Sequence, residues 1–158
     1  MKYFKFIFLA IILTSLGQGF IWTKGGDKVI IPPQISDKLE SVSYTPFKGF
    51  EKALKSNEEI AQDMQTIAKI ARKVRTYAMD DAKIVLTNLG ETKLKVDVGL
   101  WLSTDKGANE NEVEALFEAL KYYSPKISSI IVGNEVLLRA DLTSEELIEY
   151  IDRVSKRT

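Results

Sequence analysis

The chain has neither cysteine nor histidine among its 158 residues. Their absence excludes disulfides, the common transition-metal ligands, a thiol nucleophile and any histidine-based triad. A charge imbalance is missing too: 22 Lys and Arg stand against 22 Asp and Glu, with the basic residues scattered among the acids. No nucleic-acid partner is expected from such a chain, because phosphate binding calls for a basic patch. What is left for chemistry is carboxylate, amide, guanidinium and aromatic groups. That inventory suits polyol recognition and proton transfer by Asp or Glu, with no metal and no cofactor expected.

Lys2 and Lys5 precede an apolar run from Phe6 to Leu16 that closes on the small residues Ser15, Gly17 and Gly19, the layout of a secretory signal peptide. Residues 1–19 read as this leader, with cleavage near Gly17 or Gly19. The uncharged stretch extends through Phe20, Ile21 and Trp22, which barely reaches the roughly 20 residues of a spanning helix. An uncleaved anchor over residues 6–22 is therefore the alternative, and a membrane enters the reading only through this segment. In either case the chain is expected to be exported: secreted, periplasmic or held at the cell envelope. Residues 20–40 contain Gly25-Gly26 and Pro32-Pro33 among alternating charges and read as a linker. The folded domain is expected over 41–158.

From Ser41 onward, short apolar or β-branched runs alternate with longer segments of 3.6-residue period, as in consecutive βα units around a parallel sheet. The predicted strands are Ser41–Thr45, Val74–Tyr77, Lys95–Leu102 and Ser128–Gly133. Ser56 with Glu59 predicts a capping box and a first helix burying Ile60, Met64, Ile67, Ala68 and Ala71. A second helix begins after Asp80 and Asp81, buries some of Ile84, Val85 and Leu89, and stops at Gly90. Asn109 with Glu112 predicts the start of a third, buried along Val113, Leu116, Phe117 and Leu120. Thr143 with Glu146 starts a fourth, buried along Leu147, Ile151 and Val154. The fold class is α/β, four βα units in a row. These are the first half of an eight-fold (β/α) barrel, incomplete against the roughly 250 residues of a closed one, or a small open sheet wound on both faces.

In such folds functional side chains gather at the carboxyl ends of the strands. The rule selects Tyr44 and Phe47, Arg75 and Tyr77, Trp101, and Asn134 with Glu135. Aromatic faces stack on sugar C–H groups while amides and guanidinium groups bind hydroxyls in fixed directions, which is the composition of a carbohydrate cleft. Each residue also has a plainer reading. A strand-end Tyr or Trp is commonly a half-buried packing residue, and Asn before Glu suits an ordinary turn. Strict alternation would send Asn134 and Glu135 to opposite faces, so both reach one ligand only if the backbone is already leaving the strand.

The ordered set Ser43-Tyr44-Thr45-Pro46-Phe47, Val74-Arg75-Thr76-Tyr77, Val98-Gly99-Leu100-Trp101 and Ile131 to Arg139 resembles the amino-terminal half of glycoside hydrolase family 17, the β-1,3-glucanases and related glucan-modifying enzymes. The resemblance runs from about Ser41 to the last residue. It implies a (β/α)8 barrel that cleaves or transfers β-glucan with retention, using one Glu after the fourth strand as acid/base and another after the seventh as nucleophile. By that resemblance Glu135 is the acid/base, Asn134 binds the sugar 2-hydroxyl, and Arg75, Tyr77, Tyr44 and Trp101 line the cleft. The nucleophile has no counterpart in this sequence, so the chain is expected to be a truncated domain, inactive alone. A non-catalytic glucan-binding or envelope module is the alternative, and a third reading is a half-barrel that pairs with itself or with another chain to close the sheet.

Overall fold

The computed structural model describes residues 2–25, 37–49 and 53–158. The predicted linker thus falls largely on residues 26–36, outside the described ones. Two units are separable, Met1–Ile35 and Ser36–Thr158. In the first, Lys2–Gly25 is a single helix, α1. Among the described residues no helix is long and apolar enough to cross a membrane.

The second unit is a four-stranded parallel sheet with helices. In chain order it runs β1 (Leu39–Ser43), β2 (Phe47–Lys48), β3 (Ala53–Leu54), α2 (Asn57–Ile70), β4 (Ala71–Arg75), α3 (Met79–Asn88), β5 (Lys95–Leu100), α4 (Lys106–Tyr123), β6 (Ile127–Val132) and α5 (Ser144–Ser155). The main sheet is ordered β1-β4-β5-β6, every neighbouring pair parallel, while β2 and β3 form a separate hairpin. Each step to the next strand therefore moves one place along the sheet through a helix, as in the opening units of a (β/α) barrel.

Alternation separates the two faces of the sheet. Val74 on β4 and Val96, Val98 and Leu100 on β5 are fully buried in the core. They share that core with Ile60 and Met64 of α2, Val85 of α3, Val113 and Leu116 of α4, and Val154 of α5. The other face carries Ser41, Lys73, Arg75, Asp97, Gly99 and Ser129. There Asp97 accepts hydrogen bonds from Ser41 Oγ (3.0 Å) and Ser129 Oγ (2.7 Å). Ser41 reaches it across the intervening β4, a span that a sheet curling toward this face permits. A register shift between Val96 and Asp97 gives β6 one extra residue, opposite β5, and such bulges increase local curvature.

Four expectations need correction. The strands end about two residues earlier than predicted on β1, β4 and β5, because the chain turns toward the helices as soon as ladder bonding stops. Ala71, assigned to the face of α2, is instead the first residue of β4, and Ile151 is 42% exposed on α5. The helix α4 does not start at Asn109: it is capped by Asp105, whose side chain accepts from the Ala108 N–H at 3.0 Å. Asn109 is buried within the helix and closes the preceding loop, accepting from Ser103 N–H and donating to Ser103 O, both at 2.8 Å. The capping boxes at Ser56/Glu59 and Thr143/Glu146 are present as predicted.

Candidate active site at the carboxyl ends of the strands

The strand exits of β4, β5 and β6 place their polar and aromatic residues side by side. Arg75, the last residue of β4, donates from Nη2 to the Asn134 Oδ1 beyond β6 at 3.0 Å. Its guanidinium lies 5.0 Å from the centre of the Tyr77 ring, within range of a cation–π attraction. The Tyr77 hydroxyl donates to Ser43 Oγ on β1 at 2.9 Å. One chain of contacts thus crosses from the end of β1 to the loop after β6. The Arg75 Nε is buried and has no hydrogen-bond partner among the described residues.

Asn134 and Glu135 lie past the end of β6, where the backbone has left the strand. Gly133 has φ 78° and Glu135 φ 54°. Glu135 is thus a non-glycine residue in the left-handed region, a conformation that is sterically disfavoured and clusters at functional sites. Its carbonyl accepts from the Arg139 N–H at 2.9 Å, and its side chain is exposed.

Trp101 stands immediately after β5 and is 40% exposed. Its ring faces the Arg139 guanidinium at 4.3 Å. Arg139 gathers this whole region: it donates to the Asn134 carbonyl, to Leu102 O at 2.9 Å and to Asp141 Oδ2 at 2.7 Å. It was visible in the sequence only as the last member of a motif. Its role depends on the loops after β5 and β6 meeting, which no local spacing reveals.

Tyr44 is placed differently. It is 9% exposed and belongs to the core cluster, and its hydroxyl donates to Asp63 of α2 at 2.8 Å. Burial and then the Asp63 carboxylate push its phenol well above the ordinary range. Asp63 also accepts from Lys55 Nζ at 2.6 Å. Phe47 lies on the β2–β3 hairpin and is 38% exposed.

Glu112 is a second residue that sequence spacing misassigned. Instead of capping its own helix it reaches two other elements, accepting from the Met79 N–H at 3.0 Å and the Trp101 N–H at 2.9 Å. Burial holds its carboxyl above the usual range against the pull of these two donors.

Two concave spaces lie away from these residues. One of about 410 Å³ runs between β6 and α5, and one of about 470 Å³ sits at the amino ends of the strands. The strand-exit residues named above line neither of these two spaces. Among the described residues, no cluster of acidic side chains is placed to hold a metal ion.

A parallel sheet stepping outward one strand at a time, with a carboxylic acid, an amide, a guanidinium and rings at its carboxyl rim, is the arrangement of a glycoside hydrolase barrel. Residues 41–158 match the BtgE/BtgC glycoside hydrolase domain, and the chain belongs to this family, within glycoside hydrolase family 17. A glucan endo-1,3-beta-glucosidase of Emericella nidulans is 29% identical over 130 residues, covering 73% of this chain and 20% of that protein. A glucan 1,3-beta-glucosidase of Candida albicans is 30% identical over 132 residues, covering 73% of this chain and 41% of the relative. A β-1,3-glucanosyltransferase of Rhizomucor miehei, solved with laminaritriose, superposes with a TM-score of 0.64 at 23% identity, covering 75% of this chain and 44% of that one. The chain thus spans less than half the length of these proteins.

Proposed function

We propose that this chain carries the acid/base half of a retaining site acting on β-1,3-glucan, with Glu135 as the proton donor. The observation that carries the reading is the bond between Arg75 and Asn134. It fixes an amide beside Glu135 on the rim that the Trp101 and Tyr77 rings border. In this role Glu135 gives its proton to the glycosidic oxygen as the bond to the anomeric carbon breaks. It then takes a proton from the incoming water or sugar hydroxyl. Asn134, held by Arg75 and with its carbonyl held by Arg139, presents its side-chain N–H to a sugar 2-hydroxyl. Tyr77 and Trp101 supply faces for pyranose C–H groups.

A retaining reaction needs a second carboxyl about 5 to 5.5 Å from the first, as nucleophile. The resemblance places that group after a seventh strand, and among the described residues the main sheet has four. The 158-residue chain is therefore expected to bind β-1,3-glucan oligosaccharide and not to turn it over. Calorimetric titration with laminaritriose should give affinity that survives Glu135→Gln and is lost in Trp101→Ala, while laminarin yields no reducing sugar. No binding up to about 10 mM, equivalent to about −2.7 kcal/mol, or binding indifferent to Trp101, would sink the reading. Reducing-sugar release would refute the need for a second carboxylate.

A further inference from the structure

We propose that Glu112 is the positioning residue for the aromatic rim of this site. Its one carboxylate, projecting from α4, holds both the Trp101 strand exit and the start of α3 by their backbone N–H groups. The inference rests on the glucan reading of Trp101 and adds to it a residue from outside the rim.

The geometry explains why an acid is needed there. The first turn of any helix leaves N–H groups without an internal partner, and a side chain at the N-cap normally accepts one. At α3 the N-cap is Ala78, which has no side-chain acceptor. Glu112 supplies the acceptor from another helix, with Oε2 at 3.0 Å and Oε1 at 3.3 Å from the Met79 N–H. A carboxylate is also favoured at the positive end of the helix dipole. The same Oε2 accepts the Trp101 N–H at 2.9 Å. The loop after β4, which carries Tyr77, and the loop after β5, which carries Trp101, are thereby pinned to one oxygen atom. Trp101 is then fixed twice, its backbone by Glu112 and its ring by Arg139.

The charged groups acting on Glu112 from its surroundings are Asp80 and Lys83, both on α3 and opposed in effect. Among the described residues no cation is bonded to it. The carboxylate is spent on two neutral N–H donors, an arrangement that serves placement of the two loops.

Because both bonds converge on Oε2, a glutamine can keep them through its single amide oxygen, whereas a leucine of similar size keeps neither. That contrast separates positioning from bulk. The chain has two tryptophans, so Trp22→Phe leaves Trp101 as the sole tryptophan, read by selective excitation at its red edge. In that background Glu112→Leu should raise acrylamide quenching of Trp101 about twofold and weaken laminaritriose binding about tenfold. Glu112→Gln should stay within about twofold of the parent in both, since its oxygen still meets both donors. Unchanged quenching in the leucine variant overturns the proposal, as does altered quenching with parental affinity. If the parent itself fails to bind laminaritriose, the glucan reading falls, and quenching alone decides whether Glu112 holds Trp101. Should the leucine variant not fold, Glu112→Asp, which draws the carboxylate back by one carbon, is judged by the same two measurements.

Discussion

Gly99 has no room for a methyl group. A Cβ built there would stand 2.5 Å from the Thr76 carbonyl oxygen and 2.8 Å from the Tyr77 Cα, both of them backbone atoms that cannot swing aside. The loop leaving β4 lies directly on β5 at this point, and this close approach sets where Tyr77 projects. Gly99→Ala is therefore expected to push the Thr76–Tyr77 backbone away, breaking the Tyr77–Ser43 bond and costing about 1 to 3 kcal/mol, the usual range for overpacking. Urea unfolding reads this directly, and a midpoint equal to that of the parent would contradict it. The glycine could be seen in the sequence as part of a motif. Its reason could not, because the atoms that crowd it lie more than twenty residues away along the chain. Arg139 and Glu112 were obscure for the same cause, while Tyr44 was visible as a strand-end aromatic whose burial against Asp63 only the packing of α2 reveals.

At the scale of elements, one spacing has two meanings. Ser56/Glu59 and Thr143/Glu146 are true capping boxes, each closing its own helix start. Asn109/Glu112 has the same offset, yet α4 begins earlier at Lys106, so both side chains fall inside the helix and serve loops instead. Asp105 satisfied the local need first, which freed the later pair. The contact between α2 and the end of β1 is likewise electrostatic as well as apolar. Burial pushes the Asp63 carboxyl up, but the Lys55 ammonium and the Tyr44 hydroxyl together hold it below the usual range. A carboxylate depressed in the folded state contributes stability that is fully present above its unfolded value, about 3.9, and is lost as pH falls through the lower folded value. Asp63→Asn should therefore destabilise the domain at pH 7, by under about 1 kcal/mol once solvent screening is allowed for. The loss should shrink toward pH 3. Equal losses in urea titrations at the two pH values would rule this out.

For the whole molecule, the main sheet is open at β1 and β6, and its polar inner face is organised around Asp97. A closed barrel buries that face, so the hydroxyl pair on Asp97 is polar satisfaction built for an interior. The other large-scale feature is the segment before the domain. We propose that residues 1–19 direct export and are removed near Gly17 or Gly19, on the strength of the lysine-first, apolar, small-residue order. N-terminal sequencing of protein recovered from the medium of a secreting host should begin just after one of these glycines. A product still starting at Met1 would refute it.

Periodicity and caps depend on neighbours within four residues, so the linear order alone determined four βα units, two of the helix starts, the buried stripes of Ile60, Met64, Val113 and Leu116, and an Asn-Glu pair at a strand end. The tertiary structure decided which polar side chains meet. The Arg75–Asn134 bond joins residues 59 apart and the Glu112–Met79 bond joins residues 33 apart. Such bonds exist only once parallel pairing has laid β4, β5 and β6 side by side and brought their exits to a common rim.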